Sequence, residues 1–267
     1  MSTTWVAQEK MNIRGQQLRR RLTQRQPVYC LLHGLCSPAA AELAALAGYD
    51  AVIIDDEHGP SDRSLNLNIA QAVAAGGAAC LMRLASHDPL KIGQALDLGV
   101  DGLLIPGIHS AEDAAAVVRA SRYPPAGSRG YGLSMARAGG YGLYPKRYSE
   151  AMEQGVLLAA MIESRRGVEH AAAIAGTPGV DVVILGLQDL TADMGVPGEF
   201  EHPEVQKAIA AIESAVLAAG KALGAAVYPG VNISQLLQRG HRFITLGIDT
   251  RLLGAAMRQQ LNDCSDL

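Results

Sequence analysis

Four polar side chains in this sequence come shortly after apolar runs of strand length, and their types suit metal-assisted proton transfer. Glu163 and Asp189 are carboxylates, while His58 and Arg83 add a proton carrier and a cation. Two carboxylates can hold one hard divalent cation such as Mg²⁺ or Mn²⁺ and leave positions open for a substrate's oxygens. Histidine exchanges protons near neutral pH, and arginine binds paired oxygens or an enolate oxygen. The residue types therefore predict a metal site at Glu163 and Asp189, served by His58 and Arg83.

A structural interpretation is also open for each of these residues taken alone. Either carboxylate can cap the helix that follows it. Arg83 can pair with Asp55 or Glu57 and tie two loops together. His33 and Asp249 also fall at the ends of apolar runs. The number of polar residues that share this position favours the functional interpretation.

The lysines argue against covalent catalysis through an imine. Such a lysine is expected at the end of a barrel strand, where it reaches the substrate. None of the five does so; they are Lys10, Lys91, Lys146, Lys207 and Lys221. We therefore expect a metal to polarise the substrate.

The elements that position these residues repeat along the chain, because short apolar segments alternate with longer amphipathic ones from residue 28 onward. This alternation predicts strand–helix units. The predicted strands span residues 28–35, 51–54, 79–84, 103–108, 156–162, 180–185, 222–227 and 243–248. The predicted helices span residues 38–47, 65–75, 88–98, 110–122, 167–175, 202–219, 232–239 and 251–261.

Eight such units in series predict a (β/α)8 TIM barrel that forms a single domain over residues 1–267, with an N-terminal helix ahead of it. A doubly wound sheet is the alternative, but no G-x-G-x-x-G motif follows the first strand. A long insertion after the fourth helix, residues 123–150, contains three prolines and five tyrosines. Connections of this length are usually functional.

The composition excludes several classes of function. Hydrophobic residues make up 49% and charged residues 18% of the chain, which permits a large core. A net charge of −3, a pI near 6.2 and 4% aromatic residues argue against a nucleic-acid partner. No apolar run is long enough to cross a membrane. The basic stretch from Lys10 to Arg25 is interpreted as the solvated face of the leading helix.

The cysteines indicate a reducing compartment. None belongs to a C-x-x-C pair, and they lie scattered along the chain as Cys30, Cys36, Cys80 and Cys264. This pattern is typical of free thiols rather than of a disulfide framework. We expect a cytoplasmic protein.

Five segments, taken in order, resemble the HpcH/HpaI aldolase family. They are residues 54–58 (IDDEH), Arg83 with Asp88 and Pro89, residues 122–130 (RYPPAGSRG), 162–164 (IES) and 186–195 (GLQDLTADMG). The resemblance runs from about residue 12 to 261 with similar spacing. It implies a metal-dependent, class II carbon–carbon lyase that acts through the enolate of pyruvate or oxaloacetate and joins it to an aldehyde.

The resemblance also implies roles for individual residues. Glu163 and Asp189 match metal ligands for Mg²⁺, Mn²⁺ or Co²⁺. His58 matches the general base, supported by Asp55, and Arg83 matches the group that binds the oxo acid. Two further positions, Gly186 and Leu187, match substrate-binding residues.

Assembly is implied in the same way. Asp97 matches an acid that orients the histidine across a subunit contact. The family resemblance implies a hexamer, built as a dimer of trimers with the last helix exchanged between partners.

Several positions depart from the usual family pattern near the substrate; they are Leu32, Asp56, Leu133, Met161 and Leu187. The second substrate is therefore expected to differ from the usual aldehyde. A related alternative is a citrate synthase of a siderophore pathway, which condenses oxaloacetate with acetyl-CoA on the same metal site. Arg129, Tyr131, Arg137 and Tyr141 of the insertion would suit either an anionic aldehyde or a larger acyl donor.

Overall fold

The strands pair in chain order into a closed parallel barrel, as the sequence predicts. The computed structural model describes residues 14–265. Its strands are β1 Val28–His33, β2 Ala51–Asp55, β3 Ala79–Arg83, β4 Gly102–Ile105, β5 Leu157–Ile162, β6 Val182–Leu185, β7 Ala222–Ala226 and β8 His241–Ile248. Each strand pairs with the next, and β8 closes the barrel on β1. The (β/α)8 architecture is confirmed.

Helices surround the barrel and separate its strands. They are α1 Arg14–Thr23, α2 Pro38–Leu46, α3 Arg63–Gly76, α4 Pro89–Asp97, α5 Ala111–Ser121, α6 Pro145–Gly155, α7 Arg165–Glu169, α8 Ala171–Gly176, α9 Leu187–Asp193, α10 Pro203–Ala218, α11 Ile233–Gln238 and α12 Asp249–Ser265. Several start at side-chain caps that the sequence makes visible, such as Ser37, Asp62 and Ser110. No helix within residues 14–265 is long and apolar enough to cross a membrane.

The element bounds differ from the predicted ones at identifiable residues. The fourth strand ends at Ile105 rather than at residue 108, because Pro106 cannot donate to a sheet and Gly107 turns the chain with a φ of +65°. The first strand ends at His33, since the amides of Gly34 and Leu35 bind the carboxylate of Asp249 instead of a neighbouring strand. The helix predicted over residues 167–175 is two helices, α7 and α8, and the helices α6 and α9 were not predicted.

The core has two layers. Apolar side chains that point into the barrel fill its interior, among them Ile53, Leu81, Leu104 and Phe243. Outward-pointing residues of the same strands pack against the surrounding helices. All five residues of β2 are buried, as expected for a strand covered on both faces.

Helix α1 closes the end of the barrel at which the strands begin. Leu18 and Leu22 are buried in the interior cluster. A Cβ at Gly15 would lie 2.1 Å from the carbonyl oxygen of Asp101, so the helix reaches this end only because that residue is glycine. Of the basic stretch, Arg20 and Arg25 are exposed, as a solvated face requires, whereas Arg14, Arg19 and Arg21 are partly buried. Lys10 lies outside the described residues.

Three aspartates hold α1 in place. Arg21 pairs with Asp50, Arg19 Nε lies 2.9 Å from Asp181 Oδ1, and the Arg14 amide donates to Asp101 over 2.7 Å. Asp50, Asp181 and Asp101 lie just before β2, β6 and β4. Each of them also accepts the backbone amide of the second residue of the preceding strand; these residues are Tyr29, Leu158 and Cys80, respectively. Three of the four arginines of α1, Arg14, Arg19 and Arg21, therefore bind the barrel.

The insertion covers the same end of the molecule, because it leaves α5 and leads into the start of β5. Arg129 is fully buried, 4.6 Å from the ring centroid of Tyr123 and 5.6 Å from that of Tyr148. Its Nη2 donates to Asp97 over 2.7 Å. Arg137 donates to the carbonyl oxygens of Leu98 and Gly99. Within one chain these two arginines hold the insertion on the barrel at the end where the strands begin, and the suggestion that they serve the substrate stays a prediction.

Helix α12 carries an uncovered apolar stripe. Leu253, Met257 and Leu261 recur every four residues and are 44%, 54% and 69% exposed. On α2, two further leucines, Leu43 and Leu46, are 67% and 69% exposed. A stripe of this spacing on a helix is typical of a packing face.

Candidate active site

Polar residues cluster at the carboxyl ends of the strands, at the end of the barrel that α1 leaves open. We call this end the rim. Asp55 ends β2 and Arg83 ends β3, and the two residues are partners in the strand register. Arg83 Nε donates to Asp55 Oδ1 over 2.9 Å, and Nη2 donates to Oδ2 over 2.7 Å. This bidentate pair is strong and fixes the guanidinium plane. Burial acts to raise the pKa of Asp55, but the hydrogen bonds from Arg83 and from nearby backbone amides lower it overall.

The turn after β2 carries the predicted base. The Oδ1 atom of Asp55 accepts the amides of Glu57 and His58 over 3.2 Å and 3.3 Å. Glu57 Oε2 lies 3.2 Å from Arg83 Nη1 and 3.7 Å from His58 Nε2. The His58 side chain is 66% exposed. Asp55 thus supports the backbone of His58, and Glu57 is the carboxylate beside its ring.

Glu163 follows β5 and lies against backbone on two sides. Its Oε1 accepts the amide of Gly107 over 2.6 Å. A Cβ at Gly186 would lie 2.6 Å from the Cβ of Glu163 and 2.7 Å from its Oε2, so only glycine fits there. Burial, with the negative charges of Asp189 and Glu57, raises the pKa of Glu163 to about 7, although the Gly107 amide and Arg83 act in the other direction.

Asp189 lies in the first turn of α9 and is exposed. Glu163, Asp189 and Glu57 therefore place negative charge at this end of the barrel, near the guanidinium of Arg83. A divalent cation would relieve this repulsion, and oxygen donors are those that Mg²⁺ and Mn²⁺ prefer. Among the described residues, no group of three or more His, Cys, Asp or Glu is arranged to hold a metal. Two carboxylates with open positions fit a cation that also binds substrate.

The raised pKa of Glu163 predicts a pH-dependent stability for the metal-free protein. At pH values between 4.5, the ordinary pKa of a glutamate, and about 7, Glu163 binds more protons in the folded state than in the unfolded state. The contribution of Glu163 to the free energy of unfolding therefore falls as the pH rises through that interval. We expect Glu163→Gln, measured by thermal unfolding in EDTA, to raise the Tm at pH 8 and to leave it nearly unchanged at pH 5. If the Tm of the variant were lower than that of wild type at pH 8, the pKa of Glu163 would not be raised in the folded protein.

Two predicted site residues lie elsewhere. Asp97 is at the carboxyl end of α4, which is the end of the barrel opposite His58, and it pairs with Arg129. Within one chain it does not orient the histidine. The Leu187 side chain is buried in the outer core at the start of α9.

Some rim residues were not singled out from the sequence. Gly107 supplies an amide to Glu163, and His109 lies 2.7 Å from the hydroxyl of Ser164 through Nδ1. Both residues lie shortly after β4, but the sequence predicts that this strand ends at residue 108, three residues beyond its observed end at Ile105. His33 and Asp249, which the sequence places at the ends of apolar runs, form a buried pair with Nδ1 and Oδ2 2.6 Å apart and join β1 to the start of α12.

Known proteins resemble the chain over most of its length. A hydroxypyruvate/pyruvate aldolase of Delftia acidovorans is 41% identical over 235 residues, which are 88% of this chain and 87% of the relative. A 4-hydroxy-2-oxo-heptane-1,7-dioate aldolase of Klebsiella pneumoniae is 40% identical over 228 residues, which are 85% of this chain and 86% of the relative.

A solved structure agrees with these sequence relatives. It is an HpcH/HpaI aldolase/citrate lyase family protein from Burkholderia cenocepacia, with a TM-score of 0.89 and 35% identity. The match covers 94% of this chain and 99% of that one. The family model for HpcH/HpaI aldolase/citrate lyase matches residues 29–256, which include the whole barrel and its rim except for the first residue of β1. The chain therefore belongs to the HpcH/HpaI aldolase/citrate lyase family.

Proposed function

We propose that this protein is a class II aldolase, a carbon–carbon lyase that acts through the enolate of a 2-oxo acid, pyruvate or oxaloacetate, with an aldehyde as the second substrate. The observation that carries the proposal is the acidic rim of Glu163 and Asp189 beside the oriented guanidinium of Arg83. Relatives about 40% identical to this chain bear aldolase names. The same relatives favour an aldehyde over acetyl-CoA as the second substrate.

Glu163 and Asp189 would hold the divalent cation, Mg²⁺, Mn²⁺ or Co²⁺, for which the chemistry of the rim is suited. When bound, the cation supplies Lewis-acid polarisation of the 2-oxo group. The raised pKa of Glu163 fits a ligand that gives up its proton when a cation arrives. Gly186 contributes by leaving room for the Glu163 side chain.

Arg83 would bind the oxo acid and offset charge on the enolate oxygen. Three of its N–H groups face Asp55 and Glu57, which fixes the fork while the guanidinium retains further donors. A preorganised donor of this kind stabilises developing negative charge. His58 would move the proton, because its exposed ring can reach a substrate in the mouth of the barrel.

We expect Arg83→Lys to keep the charge and lose about ten- to a hundredfold of kcat/KM, because an ammonium cannot reproduce the bidentate fork. Steady-state kinetics and thermal unfolding are measured together, with Arg147→Lys, an exposed arginine of the insertion, as the control. A lower rate at unchanged Tm supports the role. Near-wild-type turnover, or a loss that tracks the Tm, would mean that Arg83 only ties two loops together.

The activity itself is tested by proton exchange at the methyl group of pyruvate, with and without EDTA. Pyruvate and oxaloacetate are then offered with a set of aldehydes and with acetyl-CoA. Metal-dependent exchange followed by aldol product supports the aldolase. Release of free thiol from acetyl-CoA would instead identify a citrate synthase, and no exchange at all would refute the enolate chemistry.

The proposal includes assembly into a hexamer, a dimer of trimers in which α12 is exchanged. The exposed stripe of α12 and the exposed leucines of α2 are the faces that such an exchange would cover. It would also allow Asp97 to act on the histidine of another subunit. We place the protein in the cytoplasm, where the buried free thiols Cys30, Cys36 and Cys80 stay reduced.

Met257→Asp tests this assembly. The substitution puts a charge in the middle of the α12 stripe, so we expect light scattering to report dissociation and the activity to fall with it. Gln259→Asp, on the same helix outside the stripe, is the control. A wild-type monomer, or an undisturbed oligomer in the Met257 variant, would refute this part of the proposal.

A further inference from the structure

Two histidines that have no role so far lie at the rim next to Glu163. His87 is exposed in the loop between β3 and α4, and His109 is half-buried in the loop between β4 and α5. A Cβ at Gly107 would lie 3.9 Å from His87 Nδ1 and 3.8 Å from His109 Nε2. Among the described residues, apart from the chain neighbours of Gly107, no other heavy atom comes within 4 Å of that point. The two rings therefore border one open space.

This space adjoins the predicted metal ligand. The amide of Gly107 donates to Glu163 Oε1 over 2.6 Å, so one residue separates the gap from the carboxylate. Gly107 has a φ of +65°, which favours glycine, and a larger side chain would project into the gap. The backbone thus keeps the space between the rings open.

The ring of His109 is oriented to donate into this space. The Ser164 hydroxyl accepts the amide of Gly167 over 3.1 Å and lies 2.7 Å from His109 Nδ1. In the tautomer in which that hydroxyl donates to Nδ1, the Nε2 atom carries the hydrogen and faces the gap. Asp113 accepts the backbone amide of His109 and interacts electrostatically with both rings. Imidazole N–H groups in such a gap pair with an acceptor oxygen.

We propose that His87 and His109 form a subsite for an oxygen-bearing group, a carboxylate or a hydroxyl, on the aldehyde substrate beyond its carbonyl. The inference rests on the proposed aldolase function. The oxo acid is assigned to Arg83, Glu163 and Asp189, which leaves the gap across Gly107 for the second substrate. The pair selects among aldehydes and takes no part in forming the enolate.

The test compares three aldehydes with pyruvate as the donor. Succinate semialdehyde carries a carboxylate, glyceraldehyde carries hydroxyls, and butanal carries neither. We expect His87→Ala/His109→Ala to lower kcat/KM about ten- to a hundredfold for the carboxylate-bearing or the hydroxyl-bearing aldehyde, as for the loss of hydrogen bonds to a polar ligand group. Butanal should change less than twofold.

The control is His170→Ala, whose exposed ring lies between α7 and α8 and contacts the carbonyl oxygen of Arg166. Because His87 is exposed, His87→Ala alone keeps the test valid if the double variant does not fold. Equal losses for all three aldehydes, or no loss for any, would overturn the subsite. Proton exchange on pyruvate should be unchanged in the variant. If wild type itself fails to exchange, the aldolase proposal is what fails.

Discussion

Asp189→Ala is expected to lower metal-dependent kcat/KM by about a thousandfold or more. The physical reason is that a lost ligand removes a Lewis acid worth several kcal/mol of transition-state stabilisation. Asp189 is exposed in the first turn of α9, so its removal leaves no cavity, and we expect the Tm of the metal-free protein to stay within a degree or two of wild type. Rates are measured over a titration with Mg²⁺ and Mn²⁺.

The matched control is Asp193→Ala, which removes a carboxylate from the same helix. Asp193 accepts the amide of Arg165 and lies one turn beyond Asp189. We expect this variant to retain its activity and its response to EDTA. If Asp189→Ala kept EDTA-sensitive activity near the wild-type level, Asp189 would not be a ligand.

The second large effect is expected at His58. Its replacement by alanine should lower proton exchange on saturating pyruvate by about 10²–10⁴-fold, the usual contribution of a general base. Affinity for the oxo acid should be kept, because the side chain is 66% exposed and its charged neighbour, Glu57, lies 3.7 Å away. Inhibition by oxalate reports that affinity independently of the rate.

His170→Ala serves again as the control for loss of an exposed imidazole. A His58 variant that loses affinity for oxalate, but exchanges protons normally at saturation, would make His58 a binding residue. The Tm should not change in either variant, since both rings lie on the surface.

The barrel was predictable because its strands are short, apolar and buried on both faces. Segments such as β2 and β5 are continuous apolar runs, a pattern typical of strands that are covered on both faces. The ends were less predictable, because they depend on backbone hydrogen bonds. Asp249, which captures the amides of Gly34 and Leu35, lies more than two hundred residues away from them in sequence.

The site was predictable as a list of residues but not as a geometry. The positions of polar residues at strand ends, together with the family resemblance, predicted that Glu163, Asp189, His58 and Arg83 belong to the site. These signals did not reveal that Gly186 leaves room for Glu163, or that Gly107 donates to it, because a glycine in the sequence does not tell which residue approaches it. The contacts that the arginines of α1 and of the insertion make with the barrel could not be predicted, since their partners are remote in sequence.

The closure of the barrel by α1 has a consequence for how the chain is made. This helix is synthesised before all eight strands, yet the acids that hold it lie just before β2, β4 and β6. Until Asp181 has been synthesised, Arg19 lacks this acid, and closing so long a loop is slow. A nascent chain that ends before Asp181 lacks one of the three acids that hold α1. Helix α1 therefore completes its contacts late, after most of the sheet has been synthesised. In a truncated half-barrel, the apolar interior would stay exposed at the end where the strands begin.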